Sequence, residues 1–282
     1  MDKKTNNNGY DYVDLGLPSG TLWATMNVGA SKPSDYGQYF QWGDTIGYTK
    51  DQVGKDKQFN FADYKWNSSG DGEEFTKYEN IGDTLDLDDD AAHVNMGGDW
   101  HMPSPEQIKE LLDNTTSEWT TIDGISGMAF TSKKDESNSI FIPAVGRAWY
   151  GSIHRSVKYG FIWSSMVARS FNDASQYLFF NPDEAYLSIG ARFDGFTVRG
   201  VIDNKCDDSK GKKDDDNSKA KKNKLNEIPN FAEMLEKEIK NNLKVKITSD
   251  YGGYVEVNLL YKGEVIDSDV CQVTTDFNPL DE

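Results

Sequence analysis

The sequence predicts an α+β chain in two parts. The first is a domain of about 200 residues in which short strands outnumber helices, and the second is a small α+β unit behind a charged linker. Three observations carry this. Short alternations of apolar and polar residues, bounded by Gly, Pro, Asn and Asp, recur through residues 9–202 and read as strands and turns. One segment, opening at Ser104, has the cap, the proline and the apolar spacing of a helix. From Asp203 to Lys224 the chain is dominated by Asp, Lys, Ser, Asn and Gly and has no aromatic residue, a composition too polar to pack a core. The division is a polar leader at residues 1–8, a main domain at 9–202, a low-complexity linker at 203–227 and a small C-terminal domain at 228–282.

Taken in order, Tyr12-Val13-Asp14-Leu15-Gly16 and Leu22-Trp23-Ala24-Thr25-Met26 read as two strands of one sheet, joined by the turn Leu17-Pro18-Ser19-Gly20. The run Asp35 to Asp44 holds Tyr36, Tyr39, Phe40 and Trp42 and is expected to press onto the core as a short helix or turn. Asn67 to Asp90 is polar and Gly-rich and ends in Asp83-Thr84-Leu85-Asp86-Leu87-Asp88-Asp89-Asp90. Clustered carboxylates suit Ca²⁺, but an EF-hand loop needs Gly at its sixth position and Glu at its twelfth. Counted from Asp86 those are Ala91 and Gly97, so a solvated or hydrogen-bonded loop is expected, with bound Ca²⁺ as the alternative.

The helix after Ser104 has Pro105 at its first position, Gln107 three residues after the cap, and Ile108, Leu111 and Leu112 as its apolar stripe. Glu118 to Ile122, Met128 to Ser132 and Ser139 to Pro143 read as strands, with Asp123-Gly124 as the first turn. Asn181-Pro182-Asp183 is read as a turn between Tyr177 to Phe180 and Tyr186 to Ile189, in preference to amide and acid ligands for Ca²⁺ and sugar. In the small domain, Phe231, Leu235, Ile239 and Leu243, with Met234, predict an amphipathic helix after Pro229. Strands are expected at Leu243 to Thr248, Val255 to Tyr261 and, after a Lys262-Gly263 turn, Val265 to Val273. Such a unit suits docking to a larger structure or homo-oligomerisation.

Charge and composition narrow the function. The chain has 47 Asp and Glu against 30 Lys and Arg, a net charge of -17, which opposes binding to phosphate backbones and argues against nucleic acid as a partner. No apolar run is long enough to insert in a bilayer. Both cysteines, Cys206 and Cys271, lie in the last third, so disulfides are not expected to hold the main domain. Met1 to Gly9 has basic residues but no apolar stretch behind them, which predicts either release without the secretory route, as for a phage protein freed by lysis, or a leader trimmed from the sequence. The three histidines, His93, His101 and His154, stand in no zinc-binding frame, and neither a G-x-S-x-G elbow nor a phosphate-binding glycine loop is present. No catalytic residue and no obligatory cofactor are therefore assigned.

Several words of the main domain occur together in a recognisable order. They are Tyr12 to Ala24, Asp35-Tyr36-Gly37, Tyr39-Phe40, Trp42-Gly43-Asp44, Asp89-Asp90-Ala91-Ala92, Gly97-Gly98, Met102-Pro103, Phe141-Ile142-Pro143-Ala144, Trp163-Ser164-Ser165 and Gly195-Phe196-Thr197-Val198-Arg199. On these words, residues 9–202 resemble variable proteins of diversity-generating retroelements of the Bacteroides and phage type. The resemblance implies a C-type lectin fold, in the branch shared with formylglycine-generating enzymes. It also implies a non-enzymatic binding protein, with Cys206 and Cys271 falling outside the part where the enzymes carry their copper-binding pair.

What the resemblance implies for function is a diversified surface between Gly146 and Val201. Retroelement copying alters adenines, so an Asn codon can scatter to many residues but not to Lys, Glu, Gln, Met or Trp. The runs Tyr150 to Val157 and Tyr186 to Asp194 contain none of those five. The candidate ligand-binding residues are Tyr150, Ser152, Ile153, His154, Arg155, Val157, Arg169, Phe171, Tyr186, Ser188, Ala191, Arg192, Phe193 and Asp194. Tyr, Arg and large apolar side chains of this kind anchor protein interfaces. Phe141, Ile142, Trp163, Leu178, Phe196 and Val198 are expected to form the buried scaffold. The implied partner is a bacterial surface protein or glycan receptor, met from a virion tail. A bacterial cell-surface or secreted paralogue with an undiversified surface is the alternative.

Overall fold

A computed structural model describes residues 4–5, 8–68, 74–203, 243–251, 254–261 and 264–272. The chain divides into two compact units, Met1–Asp208 and Ser209–Glu282. Among the described residues of both units the regular structure is mostly β-strand, with only two short α-helices.

In the first unit, β1 (Lys4–Thr5), β2 (Asp11–Asp14) and β3 (Leu22–Ala24) form a meander. β2 and β3 pair antiparallel, with Val13 opposite Trp23, as the turn between them predicts. Next comes β4 (Tyr39–Phe40). Its aromatics enter the core as expected, but as a strand rather than a helix or turn, because a later strand offers Tyr39 and Phe40 a ladder. α1 (Ala91–Met96) starts on Asp90, whose carboxylate accepts from His93 N. α2 (Pro105–Asn114) starts on Ser104 with the predicted reciprocal cap to Gln107. It buries Ile108 and Leu111.

β5 (Thr115–Ile122), β6 (Ile125–Ser132) and β7 (Ser139–Pro143) make an antiparallel three-stranded sheet around the Asp123-Gly124 turn. The hairpin β8 (Arg147–Trp149) and β9 (Ser152–His154) leads into β10 (Gly160–Val167), β11 (Ala174–Phe180) and β12 (Ala185–Ala191). The short β13 (Phe196–Thr197) and β14 (Val201–Ile202) end the unit. β14 returns to β3, pairing Val201 with Trp23, so the two ends of the domain share one sheet.

The central sheet has the order β12-β11-β10-β13-β4, and both of its faces are covered. One face carries Phe161, Trp163, Tyr177, Phe179 and Phe196 into a core with Trp42, Trp100 and Met102. The other carries Ile162, Leu178 and Phe180 onto Ile108 and Leu111 of α2. All six predicted scaffold residues are buried, none more than 6 % exposed. Two indoles tie the sheet across β13: Trp42 donates Nε1–H to the Ser164 carbonyl and Trp163 donates to the Phe40 carbonyl, each at 2.9 Å. Between them Phe196 stacks on Trp163, with ring centroids 4.1 Å apart.

Arg199 shows why the last scaffold word ends in a cation. Its guanidinium is wholly buried and donates to Asn27 Oδ1, the Ala24 carbonyl and the Phe141 carbonyl at 2.9–3.1 Å. Burial pushes its pKa down, and three oxygen acceptors from two segments, residues 24–27 and Phe141, offset the cost of desolvating it.

The second unit is an antiparallel sheet of β15 (Leu243–Tyr251), β16 (Tyr254–Tyr261) and β17 (Glu264–Gln272), in the order β15-β16-β17. Its strands match the alternation in the sequence. The linker beyond Asp203, Cys206, the helix expected after Pro229 and the Lys262-Gly263 turn lie outside the described residues. Among the described residues no helix is long and apolar enough to cross a membrane.

Trp163→Ala is expected to lower unfolding free energy by about 3–5 kcal/mol in a denaturant titration. Phe171→Ala, at a side chain 58 % exposed, is expected to stay within about 0.5 kcal/mol of the parent. Equal losses for the two would contradict this assignment of the core.

Candidate functional site

The β8–β9 hairpin is the most distinctive local structure between Gly146 and Val201. Gly146 opens it with φ +70°, and a Cβ there would run into the His154 carbonyl, so this entry requires glycine. Trp149 pairs with Ser152 across a two-residue turn, Tyr150-Gly151, with φ of 43° and 73°. Two positive φ values match a turn that favours Asn-Gly. Here tyrosine holds the place of the asparagine, at a cost in backbone strain. The tip is fixed by Tyr150 N–H to the Phe59 carbonyl and Gly151 N–H to the Gln58 carbonyl, at 3.2 and 2.6 Å. Beyond β9, Arg155 and Val157 also have positive φ, 59° and 64°. Three non-glycine residues in left-handed conformations within eight positions form a strained loop held by its surroundings.

Strand alternation puts Arg147 and Trp149 on one face of the hairpin. The Arg147 guanidinium lies 5.3 Å from the Trp149 ring, and Trp149 meets His154 at 5.3 Å and Tyr150 at 4.8 Å edge to face. The Arg155 guanidinium lies 5.4 Å from the Tyr159 ring. Tyr159 in turn meets Phe179 at 5.8 Å, and Phe179 meets Tyr186 at 5.0 Å. Rings and guanidinium groups thus form two runs, one of Arg147, Trp149, Tyr150 and His154 on the hairpin, and one from Arg155 through Tyr159 and Phe179 to Tyr186 on the edge strand of the central sheet. Ser188, opposite Tyr177 in the ladder, lies on the same side as Tyr186.

Beneath this surface Arg147 Nη1 donates to Asp194 Oδ2 at 2.9 Å. Burial raises the Asp194 pKa to about 6, against the opposing pull of Arg147. The pair anchors the hairpin to the segment after β12.

The predicted residues divide clearly. Tyr150, Ser152, Arg155, Val157 and Tyr186 are exposed, and His154 and Ser188 are half-buried beside them. Ile153 turns inward to Tyr39, Phe59, Val145 and Ala148, and Ala191 packs on the cluster of Tyr64, Phe75 and Phe193. Arg169 and Phe171 are exposed on the β10–β11 loop. Arg169 pairs there with Glu106 of α2, which covers the other face of the sheet, so the structure does not bring them to the hairpin.

Arg192, Phe193 and Asp194 correct the sequence expectation. They are 1 %, 6 % and 2 % exposed and belong to the frame. Arg192 lies 4.4 Å from the Phe75 ring and 5.1 Å from that of Trp42, and donates to the Tyr78 carbonyl. Phe193 meets Phe61 at 4.0 Å. These partners of Arg192 and Phe193 come from residues 42–78 and that of Asp194 is Arg147, which nothing local to the 192–194 run announces. Sequence reasoning also missed Arg147, Trp149 and Tyr159. A cation and an aromatic two apart on one strand, Arg147-Ala148-Trp149, was the available sign of a shared face.

The acidic run near Asp90 is largely engaged by protein donors. Asp89 accepts from Lys65, Lys77 and Tyr78 at 2.6–2.8 Å. Although burial pushes its pKa up, those three donors bring it below the ordinary value. Asp90 accepts from His93 N and Met102 N, while burial raises its pKa. Among the described residues no three carboxylate, imidazole or thiol groups converge as a metal site.

No family model, curated protein or solved structure matches this chain. Large rings, guanidinium groups and hydroxyls on a fixed frame supply contact area, cation–π contact and directional hydrogen bonds, the usual means of recognising another molecule.

The raised pKa of Asp194 has a signed consequence. The folded state holds a proton on this group between about pH 4 and 6 that the unfolded chain releases, so its contribution to stability falls as pH rises through that window. Asp194→Asn is expected to raise Tm above pH 6 by about 3 °C or more, with the gain vanishing toward pH 4. A Tm lowered equally at every pH would show instead that the ion pair is a net stabiliser.

Proposed function

We propose that this chain is a non-enzymatic receptor-binding protein: a C-type lectin scaffold of the formylglycine-generating-enzyme-like branch presenting a retroelement-diversified surface. In this reading it serves on a phage tail and meets a bacterial surface protein or glycan. One observation carries the proposal. Between Gly146 and Val201 the words that resemble the family are buried, as at Trp163, Phe196 and Val198, while the residues between them at Tyr150, Arg155, Val157 and Tyr186 are exposed. A surface meant to vary requires this separation, because replacing an exposed side chain away from special contacts changes stability by only about 0.5 kcal/mol.

A second reading is favoured by one specific finding. Arg192, Phe193 and Asp194 lie in a run that satisfies the codon rule, yet they are buried, which weakens the rule as a sign of diversification. An undiversified bacterial surface or secreted protein, binding glycan or protein through the same hairpin, fits that burial equally well.

The neighbouring DNA separates the two. Diversification requires a near-copy of the codons for Gly146 to Val201 beside a reverse-transcriptase gene. Its mismatches should fall at adenines and concentrate on Tyr150, Ser152, Arg155, Val157, Tyr186 and Ser188, sparing Trp163, Phe196 and residues 192–194. Absence of the copy in the complete locus would leave the undiversified reading.

A further inference from the structure

Beside the hairpin surface, three segments enclose a trough of about 460 Å³. Trp119 of β5 contributes to one side, Val157, Lys158 and Tyr159 come from the loop after β9, and Asn181, Pro182 and Asp183 come from the β11–β12 turn. Trp119 and Tyr159 are half-buried, while Lys158, Pro182 and Asp183 are exposed. Val157, in its left-handed conformation with φ 64°, is 53 % exposed at the same place.

The lining selects a class of ligand. Two aromatic rings and a proline ring give flat apolar walls, suited to a ligand with a flat C–H face, since the negative face of an aromatic ring attracts weakly positive C–H groups. Lys158 offers donors and Asp183 acceptors, suited to hydroxyls that need both. An anion such as phosphate is disfavoured by the Asp183 carboxylate in the same lining, and an aliphatic chain by the charged side chains it would desolvate. The size is within the range of small-ligand sites. The turn is prearranged, with Asn181 Oδ1 accepting from Asp183 N and Glu184 N at 2.8 and 3.1 Å.

We infer that this trough is a saccharide-binding site, taking a pyranose ring against Trp119 and Tyr159 with its hydroxyls on Lys158 and Asp183. The site overlaps the proposed variable surface at Val157, while Trp119 lies outside the span from Gly146 to Val201; a saccharide can bind here whether or not the locus holds a template copy.

The test is a titration of the full chain with a panel of hexose, N-acetylhexosamine and uronate oligosaccharides, followed by tryptophan fluorescence and by chemical-shift changes of the Trp119 indole. At least one member should bind saturably, and Trp119→Ala should weaken it by about ten-fold or more. If Trp119→Ala lowers Tm, Trp119→Phe and Asp183→Asn replace it, the first expected to retain most of the binding and the second to weaken it several-fold. No saturable binding by any member up to about 10 mM, or binding that keeps its affinity in Trp119→Ala and Asp183→Asn, would overturn the assignment.

Discussion

The reciprocal bonds between two tryptophans and two strands govern the main domain. β13 is only two residues long and would hold its neighbours weakly. Trp42, just after β4, and Trp163, on β10, each send an indole N–H to the other strand's backbone while Phe196 of β13 stacks beneath Trp163. Both indoles are fully buried, where an unpaired donor or carbonyl would cost about 1–3 kcal/mol. The clamp therefore sets the spacing of β4, β13 and β10, and with it the position of everything attached to their ends. Residues 155–159 join the β8–β9 hairpin to β10, and the segment carrying Arg192, Phe193 and Asp194 runs through Gly195 into β13. Fixing these strands fixes the floor and one flank of the recognition surface.

A frame defined by interior bonds leaves the exterior free. Tyr150, Arg155 and Val157 project from backbone that is held by Gly146, by the contacts of the hairpin tip to Gln58 and Phe59, and by the Arg147–Asp194 pair, and Tyr186 from a strand held by its ladder with β11. None of those determinants uses the exposed side chains. The strained conformations at Tyr150, Arg155 and Val157 persist because the surroundings over-determine them, and this cost falls on the part of the molecule that meets other molecules.

Much of this was legible in the sequence. Ser104-Pro105-Glu106-Gln107 encodes its own cap, Asp123-Gly124 its own turn and Asn181-Pro182-Asp183 its own hairpin, because the deciding hydrogen bonds lie within four residues. The scaffold residues were legible because large apolar side chains bury wherever they can. Arg192 and Phe193 were not: their burial depends on rings at Trp42, Phe61 and Phe75, more than 100 residues away. The recognition surface was half legible for a related reason. Tyr150, Arg155 and Tyr186 stand in polar turns or on an edge strand, whereas the roles of Arg147 and Tyr159 come from Asp194 and Phe179, partners that only the folded chain supplies. The acidic run before α1 was read as a solvated or hydrogen-bonded loop, and Asp89 is hydrogen-bonded, but its partners Lys65, Lys77 and Tyr78 all lie more than ten residues before it, where the run itself does not announce them.

The central claim is that a buried frame holds an exchangeable surface, and paired libraries test it most directly. One randomises Tyr150, Arg155, Val157 and Tyr186 together, the other Arg192, Phe193 and Asp194, and both are sorted for folded members by resistance to protease. The account predicts that most members of the first library survive and most members of the second are lost. Equal survival of the two would contradict it.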